Sequence, residues 1–221
     1  MTTCYMCDSP ASSDEHAPPK CIFPEQKDTP SGNNYRKNLI TVPSCNAHNT
    51  ARSKDDEYLL HALAASITSN DVGLNQFLTK VRRALERNPK LVSSLPIGET
   101  PSFNYVTESG QLDEAFPVIA DGERIDRVIT SCARALYLFE TGKKFVGATK
   151  AIAPFMSYLD PSVDQAVITA LGYAKEFLRL SPAKGENQDV FYYKFAEGAG
   201  TAVLLLCFYG RTEFLVRLDK R

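Results

Sequence analysis

Long apolar runs are missing from this chain of 221 residues. No stretch reaches the roughly 18 consecutive apolar residues that indicate a membrane-spanning helix. The first ten residues contain neither a basic region nor an apolar segment, so we expect no secretory signal. These absences predict a cytoplasmic protein with no membrane partner, and structural disulfides are rare in that compartment.

An excess of positive charge is also missing. The chain has 25 Lys and Arg against 26 Asp and Glu, which gives a formal net charge of −1. Proteins that bind nucleic acid through bulk charge are usually basic. A nucleic-acid-binding function must therefore depend on particular side chains rather than on overall charge.

Histidine is scarce as well, yet two of the three histidines lie close to a group of cysteines. Cys4 and Cys7 form a C-x-x-C pair, and Cys45 and His48 form a C-x-x-H pair. Each pair can form a knuckle that presents two ligands to one tetrahedral ion. Together they predict a structural zinc site, whereas the simpler alternative is that these cysteines are ordinary buried residues.

Two other side chains could compete for this zinc. His16 could replace His48 as the fourth ligand, but it follows an acidic residue and precedes two prolines, outside any knuckle. The C-x-x-H spacing favours His48. Cys21 precedes two apolar residues, so we expect it to pack as a small hydrophobic side chain.

The segment between the knuckles contains Glu15 and His16 in an E-H-x-P-P-K sequence, and Asn49 follows His48 directly. The order C-x-x-C, E-H-x-P-P-K, C-x-x-H-N resembles the zinc-stapled HNH (ββα-metal) endonucleases over residues 4–58. In that family the acidic–His pair lies on a β-strand, the closing Asn or His lies on the following helix, and zinc joins these elements. The chain departs from the family in two ways. Its predicted zinc ligands are three cysteines and one histidine rather than four cysteines. The family often has a middle Asn that braces the loop before the second knuckle, and Asn38, the nearest candidate, lies further from Cys45 than is usual.

The resemblance implies a role for each of these side chains. His16 would be the general base, because a neutral imidazole can accept a proton from water near pH 7. Glu15 and Asn49 would bind a catalytic divalent ion such as Mg²⁺, which prefers oxygen ligands and neutralises charge on the phosphate. Basic side chains that flank the motif would contact the DNA backbone: Lys20, Arg36, Lys37, Arg52 and Lys54.

Beyond residue 53 the pattern changes to amphipathic helices. A further basic stretch, comprising Lys80, Arg82, Arg83, Arg87 and Lys90, either contacts phosphates or forms a solvated helix face. The spacing of apolar residues predicts a helix that begins at Ser53 and others over about 72–88, 123–141 and 162–180. Residues 96–122 are predicted to be loops with a short strand, and the tail a sheet of about three antiparallel strands.

These patterns predict an α+β protein. A zinc-containing ββα-metal module over residues 1–58 is followed over residues 59–221 by an accessory domain, mainly helical with a small antiparallel sheet. A module of this size buries too little surface to be stable alone, so zinc would be its staple.

The leading hypothesis for function is a metal-dependent endonuclease that hydrolyses DNA, with RNA also open as a substrate. By analogy alone, proteins of this build suggest a role in bacterial restriction or anti-phage defence. The alternative is a non-catalytic zinc-ribbon subunit that binds nucleic acid or protein. A third possibility is a nuclease gated by a partner that docks on the C-terminal region.

Overall fold

The computed structural model describes residues 2–30, 32–88, 101–107, 110–156 and 160–220. It is an α+β structure, as the sequence predicts, built from helices and small antiparallel sheets. In the described part of the chain, no helix is both long enough and apolar enough to cross a membrane.

The N-terminal part has the order strand, strand, helix. Strand β1 (Ser13–His16) pairs antiparallel with β2 (Thr41–Ser44), so that Glu15 lies opposite Val42. A turn of 3₁₀ helix (Thr50–Arg52) leads into helix α1 (Ser53–Ala64). The apolar face of α1 is buried, and α1 packs against helix α4 (Gly122–Thr141) and the short 3₁₀ segment Lys20–Ile22 that follows β1.

The helix predicted over residues 72–88 is present as a continuous helical segment with a π-helical turn inside it. Helix α2 (Asp71–Gln76) begins where the Asn70 side chain accepts hydrogen bonds from the backbone N–H groups of Val72 and Gly73. The π turn (Phe77–Val81) then leads into α3 (Arg82–Arg87). Part of the predicted loop region, residues 96–100 and 108–109, lies outside the described residues, as does Lys90 of the basic stretch.

A hairpin and two longer helices follow. Strands β3 (Phe103–Val106) and β4 (Leu112–Ala115) pair antiparallel, where the sequence predicted only one short strand. Helix α4 (Gly122–Thr141) begins at an Asp121 cap and ends at Gly142, whose φ of 67° suits glycine. Helix α5 (Pro161–Phe177) is capped by Asp160. Both helices lie close to their predicted bounds.

The C-terminal sheet has four strands rather than the predicted three. Its order is β5 (Gly147–Ile152), β8 (Thr212–Lys220), β7 (Thr201–Phe208) and β6 (Phe191–Gly198), all antiparallel. The missed strand, β5, lies at an edge and lacks aromatic residues, so its sequence carries little strand signal.

One cluster of buried side chains extends from the N-terminal strands through α1 and α4 to the C-terminal sheet. The Tyr209 hydroxyl, in the turn that follows β7, donates a hydrogen bond of 2.5 Å to the backbone oxygen of Ile22. The Gln76 side chain donates to the same oxygen at 3.0 Å. Hydrogen bonds therefore join the segment after β1 to helix α2, through Gln76, and to the turn after β7, through Tyr209.

Candidate metal centre

The side chains of Cys4, Cys7, Cys45 and His48 converge at one point. Their ligand atoms all lie within 4.8 Å of one another. The Sγ atoms of Cys7 and Cys45 are 3.8 Å apart, and the His48 Nδ1 lies 3.5 Å from Cys4 Sγ and 3.3 Å from Cys45 Sγ. A tetrahedral zinc with Zn–S bonds of about 2.3 Å has S–S edges of about 3.8 Å. The group thus fits a structural Zn²⁺ ion.

Backbone hydrogen bonds shape both knuckles. In the first, the Cys4 N–H donates to the Ser9 oxygen at 2.9 Å, and the Met6 N–H points at Cys4 Sγ at 3.4 Å. In the second, the N–H groups of His48 and Asn49 both donate to the Cys45 oxygen at 3.0 Å.

The two knuckles meet because the first one lies against β2. The Tyr5 N–H donates to the Pro43 oxygen at 2.9 Å, and Cys45 follows β2 directly. The predicted competitors lie elsewhere. His16 is not part of the group, and the Cys21 thiol contacts the Asp56 backbone oxygen at 3.4 Å. Burial raises the pKa of the Cys21 thiol to about 12, as expected for a packed, unreactive cysteine.

His16 ends β1 and is half-buried. Burial lowers the pKa of its imidazole, and the charge of Lys20 and, to a smaller extent, of Arg36 acts in the same direction, while Asp14 opposes them. The ring is therefore neutral near pH 7. Since successive side chains of a strand point to opposite faces, His16 faces away from the buried side chain of Glu15.

Asn49 lies against β1, although it follows the second knuckle in sequence. Its Nδ2 donates to the Ser13 Oγ at 2.9 Å and to the Asp14 backbone oxygen at 3.2 Å. The structure thus brings Asn49 next to the strand that carries Glu15 and His16. With Nδ2 engaged, the amide oxygen of Asn49 is the atom left to bind another group.

Glu15 is held inside the protein by two neighbours. One carboxylate oxygen is ion-paired with the guanidinium of Arg52, and the other accepts a hydrogen bond of 3.1 Å from the Ser44 hydroxyl. The Glu15 and Arg52 side chains are only 10% and 13% exposed. In this position the Glu15 carboxylate is not suited to bind a divalent cation, because its negative charge is already neutralised by Arg52.

Comparisons of the chain with protein-family models, with curated proteins and with solved structures found no match. The function must therefore be inferred from the geometry of these side chains. We call the Cys4, Cys7, Cys45 and His48 side chains the zinc-type group. Within the described ranges, it is the one place where three or more His, Cys, Asp or Glu side chains could hold an ion.

The basic side chains predicted to contact DNA are placed differently from one another. Lys20, Lys37 and Lys54 are exposed. Arg36 is half-buried, and its Nε donates to the Phe23 oxygen at 3.0 Å. Arg52 faces inward against Glu15, since it lies in the turn that connects the second knuckle to α1.

The sequence does not predict one buried polar group near the motif, the carboxyl group of Asp56. The Asp56 Oδ1 is buried, and no hydrogen-bond partner for it lies among the residues that the structure describes. Burial raises the pKa of Asp56 to about 6, although the nearby charge of Arg52 acts against this shift. Asp56 is therefore a costly buried carboxyl close to the Arg52–Glu15 pair.

Proposed function

We propose that this protein is a nuclease that hydrolyses DNA phosphodiester bonds in the manner of the zinc-stapled HNH endonucleases. The proposal is supported by the order β1, β2, α1, with a zinc-type group that joins the strand pair to the residues before the helix. The observation that carries it is the position of Asn49, which contacts β1 at Ser13 and Asp14, three and two residues before His16. The acidic–His pair on β1 thus has a downstream Asn beside its strand.

In this proposal His16 is the general base. Its imidazole is neutral near pH 7 and partly accessible, so it can accept the proton of an attacking water. Asn49 would orient a water molecule beside the phosphate, because its amide oxygen can accept a hydrogen bond from water. The exposed Lys20 and Lys37 would hold the DNA backbone by charge.

The resemblance also implies a divalent ion bound by Glu15 and Asn49, which would neutralise charge on the phosphate. The Arg52–Glu15 ion pair does not fit such an ion, so we assign no step to it. The cleavage assay is therefore carried out both with and without added metal.

The test is incubation of the purified protein with supercoiled plasmid DNA, with Mg²⁺, with Mn²⁺ or with EDTA. We expect nicked or linear DNA from the unaltered protein and none from a His16→Ala variant. The matched control is Thr41→Ala, an exposed residue directly opposite His16 on β2, which should keep its activity. An active His16→Ala variant would remove His16 from the mechanism.

A non-catalytic zinc module that binds protein or nucleic acid is the second candidate. The Arg52–Glu15 pair favours it, because this contact removes from the surface the carboxylate to which the resemblance assigns the catalytic ion. Absence of cleavage under every metal condition, together with retained zinc and DNA binding in a gel-shift assay, would select this candidate.

A further inference from the structure

A cavity of about 230 Å³ lies between α1 and the helical segment formed by α2, the π turn and α3. Helix α1 contributes Ser53, Lys54, Glu57 and His61, and the other wall contributes Lys80 and Arg87. We call it the α1 cavity.

Lys80 is the central charged group of the α1 cavity. Its Nζ donates to the Cys21 backbone oxygen at 2.9 Å. Within the described residues no Asp or Glu oxygen lies within 4.0 Å of this ammonium group. Burial lowers the pKa of Lys80, because a charge that leaves water without a directly paired anion is destabilised; the charges of Glu25 and Asp28 oppose this shift without cancelling it. A bound anion would supply the missing partner.

The other lining groups add to the positive charge. Lys54 and Arg87 are exposed at the rim, and Glu57 is the one acid among the described lining residues. His61 is buried and its pKa is lowered by that burial, so it is neutral near pH 7 and can donate or accept a hydrogen bond. The first turn of α1 lies at the mouth, where the helix dipole favours negative charge.

From these groups we infer that the α1 cavity binds a phosphate group, with Lys80 as its main anchor and Lys54 and Arg87 as rim contacts. The volume is below the roughly 300–1,000 Å³ of sites for drug-sized ligands, so the phosphate enters and the rest of its molecule stays outside. The phosphate can come from a free phosphorylated metabolite or from a terminal phosphate of a nucleic acid. This site does not depend on the proposed nuclease activity, since His16, Glu15 and Asn49 do not line it and Lys54 is shared only as a predicted contact to the DNA backbone.

The test is calorimetric titration of the full chain with inorganic phosphate, with no divalent ion added and with chloride at matched ionic strength as the blank. We expect saturable binding that becomes about tenfold weaker in a Lys80→Gln variant, because one charge-assisted hydrogen bond is lost. The matched control is Arg82→Gln, which removes an exposed charge from the same helical segment outside the cavity and should bind as the unaltered chain does.

A second arm separates the two sources of phosphate. A short oligothymidine is titrated with and without a 5′-phosphate. Competition between the phosphorylated oligomer and inorganic phosphate assigns a nucleic-acid end as ligand. Binding of inorganic phosphate without such competition assigns a small phosphorylated molecule.

Two results would overturn the proposal. One is no heat from phosphate beyond the chloride blank, and the other is equal affinity in the Lys80→Gln and Arg82→Gln variants. Should far-UV circular dichroism show that Lys80→Gln is unfolded, Lys54→Gln and Arg87→Gln give the same test. Both change exposed rim side chains whose loss leaves the core intact.

Discussion

The guanidinium of Arg52 is ion-paired with the carboxylate of Glu15 in a place that water hardly reaches. The pair joins β1 to the turn that precedes α1, and the Ser44 hydroxyl on β2 donates to the other oxygen of Glu15. Strand, strand and helix start are thus tied together by one buried charge pair. The zinc-type group lies at the same junction, so two different kinds of contact hold this module.

Replacing Arg52 by Met should destabilise the protein by about 3 kcal/mol, because removal of one partner leaves the other charge buried and unpaired. The free energy of unfolding is measured by urea denaturation at pH 7. The control is Arg217→Met, which breaks an exposed pair with Asp219 and should cost well under 1 kcal/mol.

Restoring the charge balance gives a second check on the same pair. A double variant with Arg52→Met and Glu15→Gln should recover part of the loss, since no unpaired charge is then buried. Equal stability of Arg52→Met and Arg217→Met would mean that the contact is not formed in solution.

Replacing Cys45 by Ala should release zinc and unfold the N-terminal module, because a structural zinc site rarely exists in the unfolded chain and its binding free energy is folding free energy. Zinc content is measured by elemental analysis and the loss of structure by limited proteolysis. The control is Cys21→Ala, which removes a cysteine outside the group and should keep one zinc per chain. A Cys45→Ala protein with unchanged zinc would exclude this ligand set.

His16→Ala belongs to the same experiment. His16 lies outside the ligand group, so this variant should retain its zinc and its proteolysis pattern. Loss of zinc on this change would show that His16, and not His48, is the fourth ligand.

The parts of the structure that the sequence predicts are those encoded locally. The spacing within each knuckle brings its two ligands together, and the spacing of apolar residues predicts the bounds of α4 within a few residues. The pairing of Arg52 with Glu15 is not local, because it depends on how the turn after the second knuckle folds back on β1. The basic residues around the motif therefore resemble a DNA-binding set in sequence, while the structure turns one of them inward.

The α1 cavity escapes sequence analysis for a similar reason. Lys80 lies in a basic stretch that is typical of a solvated helix face, and only the packing of this segment against α1 places its ammonium group half inside the protein. Strand β5 was missed because it is stabilised by pairing with β8 at the edge of the sheet, and not by a pattern of its own.

Asp56 and Asp55 are neighbours with opposite effects on stability. The folded-state pKa of Asp56, about 6, lies above its ordinary value of 3.8 because the side chain is buried. The folded state thus holds this proton more tightly, and stability falls as the pH rises between these two values. Asp56→Asn should therefore stabilise the protein by about 2 kcal/mol at pH 7, and by little at pH 4.

Asp55 provides the matched control. Burial alone would raise its pKa, but Arg127 and Arg124 outweigh this and hold the pKa of Asp55 below 3.8. Asp55→Asn should accordingly destabilise the protein at pH 7, and this loss should shrink as the pH falls below 3.8. Both variants are measured by urea denaturation across the pH range, and a gain from both or a loss from both would contradict the assignment.

The pH dependence of DNA cleavage tests the proposed role of His16 without replacing His16 itself. Burial, aided by the charges of Lys20 and Arg36, lowers the pKa of His16 from its ordinary value of 6.5, so the base form persists below that pH. If His16 is the general base, DNA cleavage should retain more than half of its maximum at pH 6.5 and fall at more acidic pH, as the imidazole becomes protonated. Lys20→Gln should move this acidic limb toward higher pH, since it removes a repelling charge, and Asp14→Asn should move it toward lower pH.

An NMR titration of the His16 ring in each variant measures the same pKa directly. Shifts of the ring pKa that the activity profile does not follow would show that another group carries the proton.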